Sequence, residues 1–417
     1  MLKKIRLYRL LLLSVLLCAL AVSACAETMT LSFVGDCTTG DQWSIRGYGS
    51  TFTYKVSRWG MDWPFSNVRD MFEADDLTIA NCEVVLTDGT PGSYLKYMTL
   101  GGATKFGQVF KEGFVDVCNI ANNHAKDFGP DGRQSTIDTL TALGIGVFGD
   151  NELYETEIKG VKIGIVGYTY PINAAKMERY KESIAKLQDD GCTFIIASAH
   201  WGKEEGYKLT QSQRDYGPAL IDAGADLVYG HGSHTVEPIQ IYNGHVIFYS
   251  LSNFTFGANG SPKDPDTVVM QVVFDINEDG TMTAAELYAY PYCMHKQRDY
   301  RPWPYTEEKD RLRVLEKLVS TQKGVDSNVP DSFLTTGYID LRAWCGEGVD
   351  SNADCSIVAT PTITYVAQKE RREKAADLLA SVSERIGTAR GTVTAAHAAA
   401  RAAEDAAALK NGLVVLK

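Results

Sequence analysis

Phe194-Ile195-Ile196-Ala197-Ser198-Ala199-His200-Trp201-Gly202 is the stretch on which the fold of this chain turns. Residues 194–199 form an apolar, partly β-branched run of strand length that stops at an imidazole followed closely by glycine. The same texture recurs on either side. Asn119-Ile120-Ala121-Asn122-Asn123-His124 closes a strand predicted over 115–120, and Tyr229-Gly230-His231-Gly232-Ser233-His234 closes one predicted over 227–229. Four of the seven histidines therefore stand where buried strands end. In an open α/β sheet the carboxyl ends of the strands are where ligands bind, so these ends are expected to converge on one metal or phosphate site.

Outward from these strands the elements alternate. Strands are predicted over 30–34, 77–80, 146–148 and 162–167, and helices over 104–112, 133–143, 174–189 and 211–223. This is the spacing of βαβ units, with helices covering a sheet. After His234 the pattern becomes consecutive strands, 236–242, 246–251, 267–274 and 282–290, the first two joined by the hairpin signal Asn243-Gly244. The expected fold class is α/β, as a two-sheet β-sandwich flanked by helices. Trp43, Tyr48, Phe52, Tyr54, Trp59 and Trp63 fill a long connection between the first two strands, which reads either as a lid or as a local mini-core. Residues 27–300 form the expected main domain, 301–365 an irregular extension and 366–417 an Ala-rich polar helical tail.

Lys3, Lys4, Arg6 and Arg9 precede an apolar run over 10–22 and the small residues Ser23, Ala24 and Ala26, the order of a secretory signal over 1–26. Cleavage after Ala26 gives a secreted protein; lipidation at Cys25 gives a lipoprotein on the outer face of the cell envelope. Loss of the segment removes four cations and shifts the formal charge from −11 to −15. Such a body has no field for nucleic acid, and an anionic substrate must be held by a metal or a few local cations. Cys345 and Cys355 are the best candidate disulfide, while Cys37, Cys82, Cys118 and Cys192 read as buried free thiols.

Asp36 after Gly35, and Glu83 in Asn81-Cys82-Glu83, sit at strand ends and taken singly are ordinary turn residues. Asn122, Asn123 and His124 are three polar residues that no core satisfies cheaply, and Asp127 is placed to orient the His124 ring. His231 and His234, three apart in a Gly-containing loop, can aim at one ion, with His200 joining them. Asn253 is a weaker contributor, and His245, His295 and His397 read as ordinary histidines. The chain has no Gly-x-Ser-x-Gly elbow, P-loop or dinucleotide fingerprint, which argues against serine hydrolase, nucleotide triphosphatase and hydride-transfer chemistry.

Gly35-Asp36, Asn81-x-Glu83, Ala121-Asn122-Asn123-His124-x-x-Asp127-x-Gly129, His200-Trp201-Gly202-x-Glu204, Gly230-His231-x-x-His234 and Tyr249-Ser250-Leu251-x-Asn253-Phe254, in this order, resemble the bacterial CapA-type poly-gamma-glutamate capsule synthesis proteins. The resemblance implies a calcineurin-like metallophosphatase fold. It implies a divalent metal (Mn, Zn, Fe or Mg) at Asp36, Glu83, Asn122 or Asn123, His200, His231 and His234, with His124 as the transition-state-stabilising group. Glu83, His124 and Asp127 are then the catalytic candidates. Implied partners are poly-gamma-glutamate or another anionic surface polymer and membrane subunits of a capsule synthase, with a signal or lipid anchor as the only membrane contact. A hydrolase-like site and a non-catalytic polymer-binding or assembly role both follow from it. Family members carry His-His-Pro-His where this chain has His231-Gly232-Ser233-His234, and metallophosphatases open with Asp-x-His where this chain has Asp36-Cys37-Thr38. The second departure implies a weaker or single metal site.

Overall fold

The computed structural model describes residues 27–294, 299–322, 325–327 and 329–342. The predicted signal segment 1–26 with Cys25, the expected Cys345–Cys355 pair, His295 and the expected tail 366–417 lie outside the described residues. The fold is mixed α/β, with several sheets and helices. The larger sheet runs Trp303–Pro304, Met282–Cys293, Asp266–Ile276, Thr28–Thr38, Leu77–Cys82, Val117–Asn119, Gly146–Phe148 from edge to edge. Asn253–Phe256 pairs with the end of Thr28–Thr38, and Tyr338–Asp340 with Met282–Cys293. The second sheet runs Ile239–Tyr242, His245–Phe248, Leu227–His231, Phe194–His200, Val161–Thr169, Tyr154–Ile158.

One apolar cluster draws on both sheets, with Leu31, Phe33, Ile79 and Met270 from the first and Ile165, Ile196, Tyr229 and Phe248 from the second. Phe33 meets Tyr229 and Phe248 at ring-centroid distances of 5.5 and 5.4 Å, and Phe194 meets Phe274 at 4.9 Å. Alternate residues on these strands face opposite ways. Val166, Ala197 and Val228 accordingly join a second cluster with Tyr180 and Ile184 of helix Ala174–Asp189 and Leu220 of helix Gln211–Asp222. Val34, Ala80 and Cys118 join a third with Phe52, Phe65 and Leu140. Each sheet is thereby apolar on both faces, which explains the nearly continuous hydrophobic runs of its parallel strands.

The strands extend further toward the site than their apolar runs suggest. The first continues from Thr28 to Thr38 through Gly35-Asp36, Leu77–Cys82 includes Asn81, and Phe194–His200 and Leu227–His231 include their histidines. The hairpin 239–248 turns at Asn243 (φ 50°) and Gly244 (φ 80°), the pair its sequence selects. The His245–Phe248 strand then pairs parallel with Leu227–His231, so only the last two long strands, Asp266–Ile276 and Met282–Cys293, extend the larger sheet antiparallel. The 104–112 helix is a 3₁₀ turn Thr104–Gly107 followed by α-helix Gln108–Glu112.

Of the two readings of the 43–63 connection, its packing matches the local mini-core: helix Phe52–Trp59 buries Phe52 and Val56, while Tyr48, Tyr54 and Trp59 stay exposed. One reading is corrected. The 301–365 extension is not irregular over its described part. Helix Glu308–Leu318 places Val314, Leu315 and Leu318 in the core shared by the two sheets, where Phe333 of the short helix Phe333–Thr336 and Ile339 of strand Tyr338–Asp340 join them. Asp266 anchors that helix, binding Arg313 at 2.8 Å and Lys317 at 2.7 Å. Cys37, Cys82, Cys118 and Cys192 are buried free thiols.

Candidate metal centre

Register sets the site. In the larger sheet Asp36 stands opposite Asn253 on one side and Asn81 on the other, and Asn81 stands opposite Asn119. In the second sheet His200 stands opposite His231. Parallel pairing thus lays a row of polar residues along each sheet at its carboxyl edge. Gly35 makes the Asp36 position reachable: a Cβ there would lie 1.7 Å from the Ser252 carbonyl oxygen, which accepts from Asp36 N at 2.9 Å.

Two groups of acidic and imidazole ligands meet at Asp36. Asp36, His200 and His231 offer ligand atoms within 4.8 Å of one another, and so do Asp36, Glu83 and His234. Asp36 is fully buried. Its Oδ1 accepts from Asn81 Nδ2 at 2.7 Å and its Oδ2 from Gly232 N at 3.2 Å. Burial opposes its charge, yet the hydrogen bond and charge of His234, with the His200 charge and the Asn81 hydrogen bond, together outweigh burial and hold the carboxyl below its ordinary value. The His200 and His231 Nδ1 atoms lie 2.9 Å apart. Each outer nitrogen has its own partner: His200 Nε2 meets Asn123 Oδ1 at 3.0 Å, and His231 Nε2 meets Ser198 Oγ at 2.9 Å. Burial, then the neighbouring His231, takes the His200 pKa well below its ordinary value, and burial takes His231 to about 3.

Glu83 is the informative atom set. It is fully buried, and neither carboxylate oxygen has a hydrogen-bond partner. Around its Oε1 stand the Nε2 atoms of His124, His200 and His234 at 4.0, 3.9 and 4.0 Å. These distances are too long for hydrogen bonds, and of the three imidazoles only His234 joins Glu83 and Asp36 in a set of ligand atoms within 4.8 Å of one another, the spacing a shared cation needs. A buried, unpaired carboxylate is expensive without such a partner. Burial, then the Asp36 charge, raises the Glu83 pKa well above its ordinary value. Burial opposes protonation of His234, but Glu83, Asp36 and Asn253 outweigh it and raise that pKa to about 10. The residues present fit a bound divalent cation.

The other predicted residues divide by position. His124 is 7% exposed and opens onto a cavity of about 370 Å³ that His234, Asn253 and Tyr207 also line. Its Nδ1 meets Asp127 Oδ2 at 2.7 Å. Asn123 contacts His200, as above. Asn122 faces inward instead: its Nδ2 donates to Asn81 Oδ1 at 3.1 Å and to the Cys82 carbonyl at 2.9 Å, while its Oδ1 accepts from His124 N at 3.2 Å. Asn122 therefore braces the turn that carries His124. Asn253, weak in sequence, lies against His234, with Oδ1 2.7 Å from Nδ1. His245 meets the Asp226 carbonyl at 3.0 Å, away from these residues.

Sequence reasoning missed Lys96, Ser198 and Asn119. Lys96 Nζ lies 2.6 Å from Asp127 Oδ1 and 3.3 Å from the Asn123 carbonyl, and so ties down both ends of the His124 turn. Nothing around Lys96 in sequence distinguishes it from a solvated loop lysine. Ser198 had a signal: it is a hydroxyl inside an apolar strand, two residues before His200.

Residues 30–258 match the family model described as bacterial capsule synthesis protein PGA_cap. The capsule biosynthesis protein CapA of Bacillus anthracis is 26% identical over 325 residues, spanning 72% of this chain and 75% of that protein. The PGA biosynthesis protein CapA of Bacillus subtilis (strain 168) is 28% identical over 336 residues, spanning 74% and 82%. A probable polyglutamine synthesis accessory protein of Mycobacterium tuberculosis is 31% identical over 171 residues, spanning 33% and 44%. The matched segment spans more than half of the chain and contains both candidate ligand groups, Asp36, His200 and His231 with Asp36, Glu83 and His234, and the chain belongs to the bacterial capsule synthesis protein family.

Proposed function

We propose that this protein serves capsule or poly-gamma-glutamate biosynthesis outside the cell membrane, with a divalent-cation hydrolase-like site acting on an anionic polymer. The observation that carries this reading is Glu83, a buried carboxylate without a hydrogen-bond partner, facing three imidazole nitrogens about 4 Å away. Asp36, His200 and His231 would hold one cation and Asp36, Glu83 and His234 a second. The core shared by the two sheets, with helices on their outer faces, fits a metallophosphatase-type sandwich. Export fits the basic, apolar and small-residue order of residues 1–26.

A bound cation supplies Lewis acidity toward a phosphoryl or amide oxygen and a more acidic water. The chain's own residues do the rest. His124, held by Asp127 and reaching the cavity, is placed to give or take a proton at Nε2. Asn253 fixes the ring of His234, and Asn123 that of His200. With Asp36 and Glu83 buried, substrate meets the site from the His124 and His234 side.

The test is metal analysis of purified protein beside an end-group assay on poly-gamma-glutamate. The hydrolase reading requires bound divalent metal that His231→Ala removes, together with new polymer ends that appear only when metal is present. Metal without new ends, but with polymer bound, supports the assembly role instead. Metal-free wild type with unchanged stability in His231→Ala overturns the metal centre.

A further inference from the structure

A second cavity, of about 730 Å³, opens beside the mouth of the metal centre. Tyr207 lines both cavities and forms their common wall. That wall is fixed in place: Gln322 Oε1 accepts from Leu209 N at 2.7 Å, and Gln322 Nε2 donates to the Tyr207 carbonyl at 2.9 Å. Asp264, which lines the mouth, binds Lys317 of the groove at 2.6 Å. The two cavities are therefore linked by a braced segment and by an ion pair.

The groove is cationic on an acidic chain. Lys208, Arg214, Arg313 and Lys317 line it with a single acid, Glu316, whereas the whole chain carries a formal charge of −11. Arg313 and Lys317 are neutralised by Asp264, Asp266 and Asp310, so the positive charge left to meet an anion is that of Lys208 and Arg214. Lys208 and Arg214 have no carboxylate partner among the described residues. The Arg214 guanidinium donates to the Leu209 carbonyl and, at 2.8 Å, to Gln211 Oε1, which aligns it without neutralising it. Where the body repels polyanions, cations gathered in one channel decide where a polyanion lies.

We propose that this groove is a subsite for an anionic polymer bearing a carboxylate on each repeat. Lys208 and Arg214 contact the carboxylates, and Tyr207 is the step over which the chain passes to the His124 and His234 mouth. The proposal rests on the reading of the neighbouring centre as a polymer-handling site. Exposed ion pairs are individually weak, so binding accumulates only when several repeats engage together. Affinity should therefore grow with oligomer length and fall with added salt.

The test uses the full chain loaded with manganese and fluorescent γ-glutamyl probes, a dipeptide and a long oligomer, with bound metal measured on the same samples. Wild type should bind the long oligomer more tightly than the dipeptide. Lys208→Glu with Arg214→Gln should weaken the oligomer about tenfold and leave dipeptide affinity and metal content unchanged. Lys208→Glu alone changes an exposed side chain and should weaken it about threefold, which keeps the test valid if the double variant is poorly folded. Oligomer affinity equal in wild type and both variants, or no oligomer binding by wild type, overturns the groove. A metal-free wild type whose oligomer affinity still falls in the variants overturns the metal centre and leaves the groove standing.

Discussion

His200 Nδ1 and His231 Nδ1 face each other at 2.9 Å across the two central strands of the second sheet. Two bare lone pairs at that distance repel, so either one proton or one cation must stand between them. The outer nitrogens are already engaged by Asn123 and Ser198, which leaves the inner pair free to act together. Replacing His231 by Ala removes one candidate ligand and the Ser198 contact. The expected outcome is loss of bound metal and of metal-dependent stabilisation. At a free metal concentration about 100 times Kd, the wild type should gain about 2.7 kcal/mol that the variant does not. Urea unfolding with and without chelator measures this, and equal chelator responses in the two proteins would exclude a ligand role for His231.

Glu83 makes the opposite demand on metal-free and metal-loaded protein. In chelator its buried oxygens have no hydrogen-bond partner and burial disfavours its charge, so Glu83→Gln, which keeps the shape and stays neutral, should be neutral or stabilising. With metal present the same change should lower metal affinity about tenfold or more. Thermal unfolding in both states checks the pair of signs. Destabilisation of the same size in both would mean that Glu83 is a structural acid only.

The strand ends were legible because each combines a β-branched run with a polar stop, and parallel register then aligns the stops without further information. Asp36, Glu83, His200, His231 and His234 lie on or just beyond such ends, which is why isolated motifs read as one set. Asn122 and Asn123 show the limit. Adjacent identical residues carry no signal of which one turns inward, and only the fold sends Asn122 to Asn81 and Cys82 and Asn123 to His200. Lys96 shows another, since its role depends on a loop that returns to the site from 27 residues before the Asn123 carbonyl it contacts. The Glu308–Leu318 helix was hidden because its apolar face is only Val314, Leu315 and Leu318 among charged residues.

Lys96 and Asp127 separate surface from buried electrostatics around one histidine. Lys96 is half-exposed, so Lys96→Met should cost about 0.5–1 kcal/mol. Asp127 is buried and accepts from Leu100 N at 2.7 Å as well as facing His124, so Asp127→Asn should cost about 1.5–3 kcal/mol. Urea midpoints order the two variants. A larger loss for Lys96→Met would mean that the ion pair, rather than the buried hydrogen bonds, holds the His124 turn.

Gly232 sits where a side chain would press on the His200 ring. Its φ is 102°, and a Cβ there would lie 2.8–2.9 Å from three atoms of the His200 ring. Gly232→Ala combines an unfavourable backbone with displacement of a candidate ligand, at a cost of about 1–3 kcal/mol. Metal content should fall together with stability. Full metal content in a merely destabilised variant would show that the loop relaxes without moving His200.

Glu237 gives the pH signature that does not involve a candidate ligand. It is fully buried, Gln213 Nε2 donates to its Oε2 at 2.6 Å, and its Oε1 has no hydrogen-bond partner. Burial raises its pKa from 4.5 to about 8. A carboxyl whose folded pKa lies above its unfolded value binds a proton more tightly when folded. Its stabilising contribution is complete below the unfolded value of 4.5 and is lost as pH rises through about 8. Across that window the slope approaches about 1.4 kcal/mol per pH unit. Glu237→Gln keeps an acceptor for Gln213 but cannot ionise, so its stability should decline less with pH and should exceed that of wild type at alkaline pH. Urea unfolding of both proteins across the range measures the difference. Parallel curves would mean that folding does not shift the Glu237 pKa.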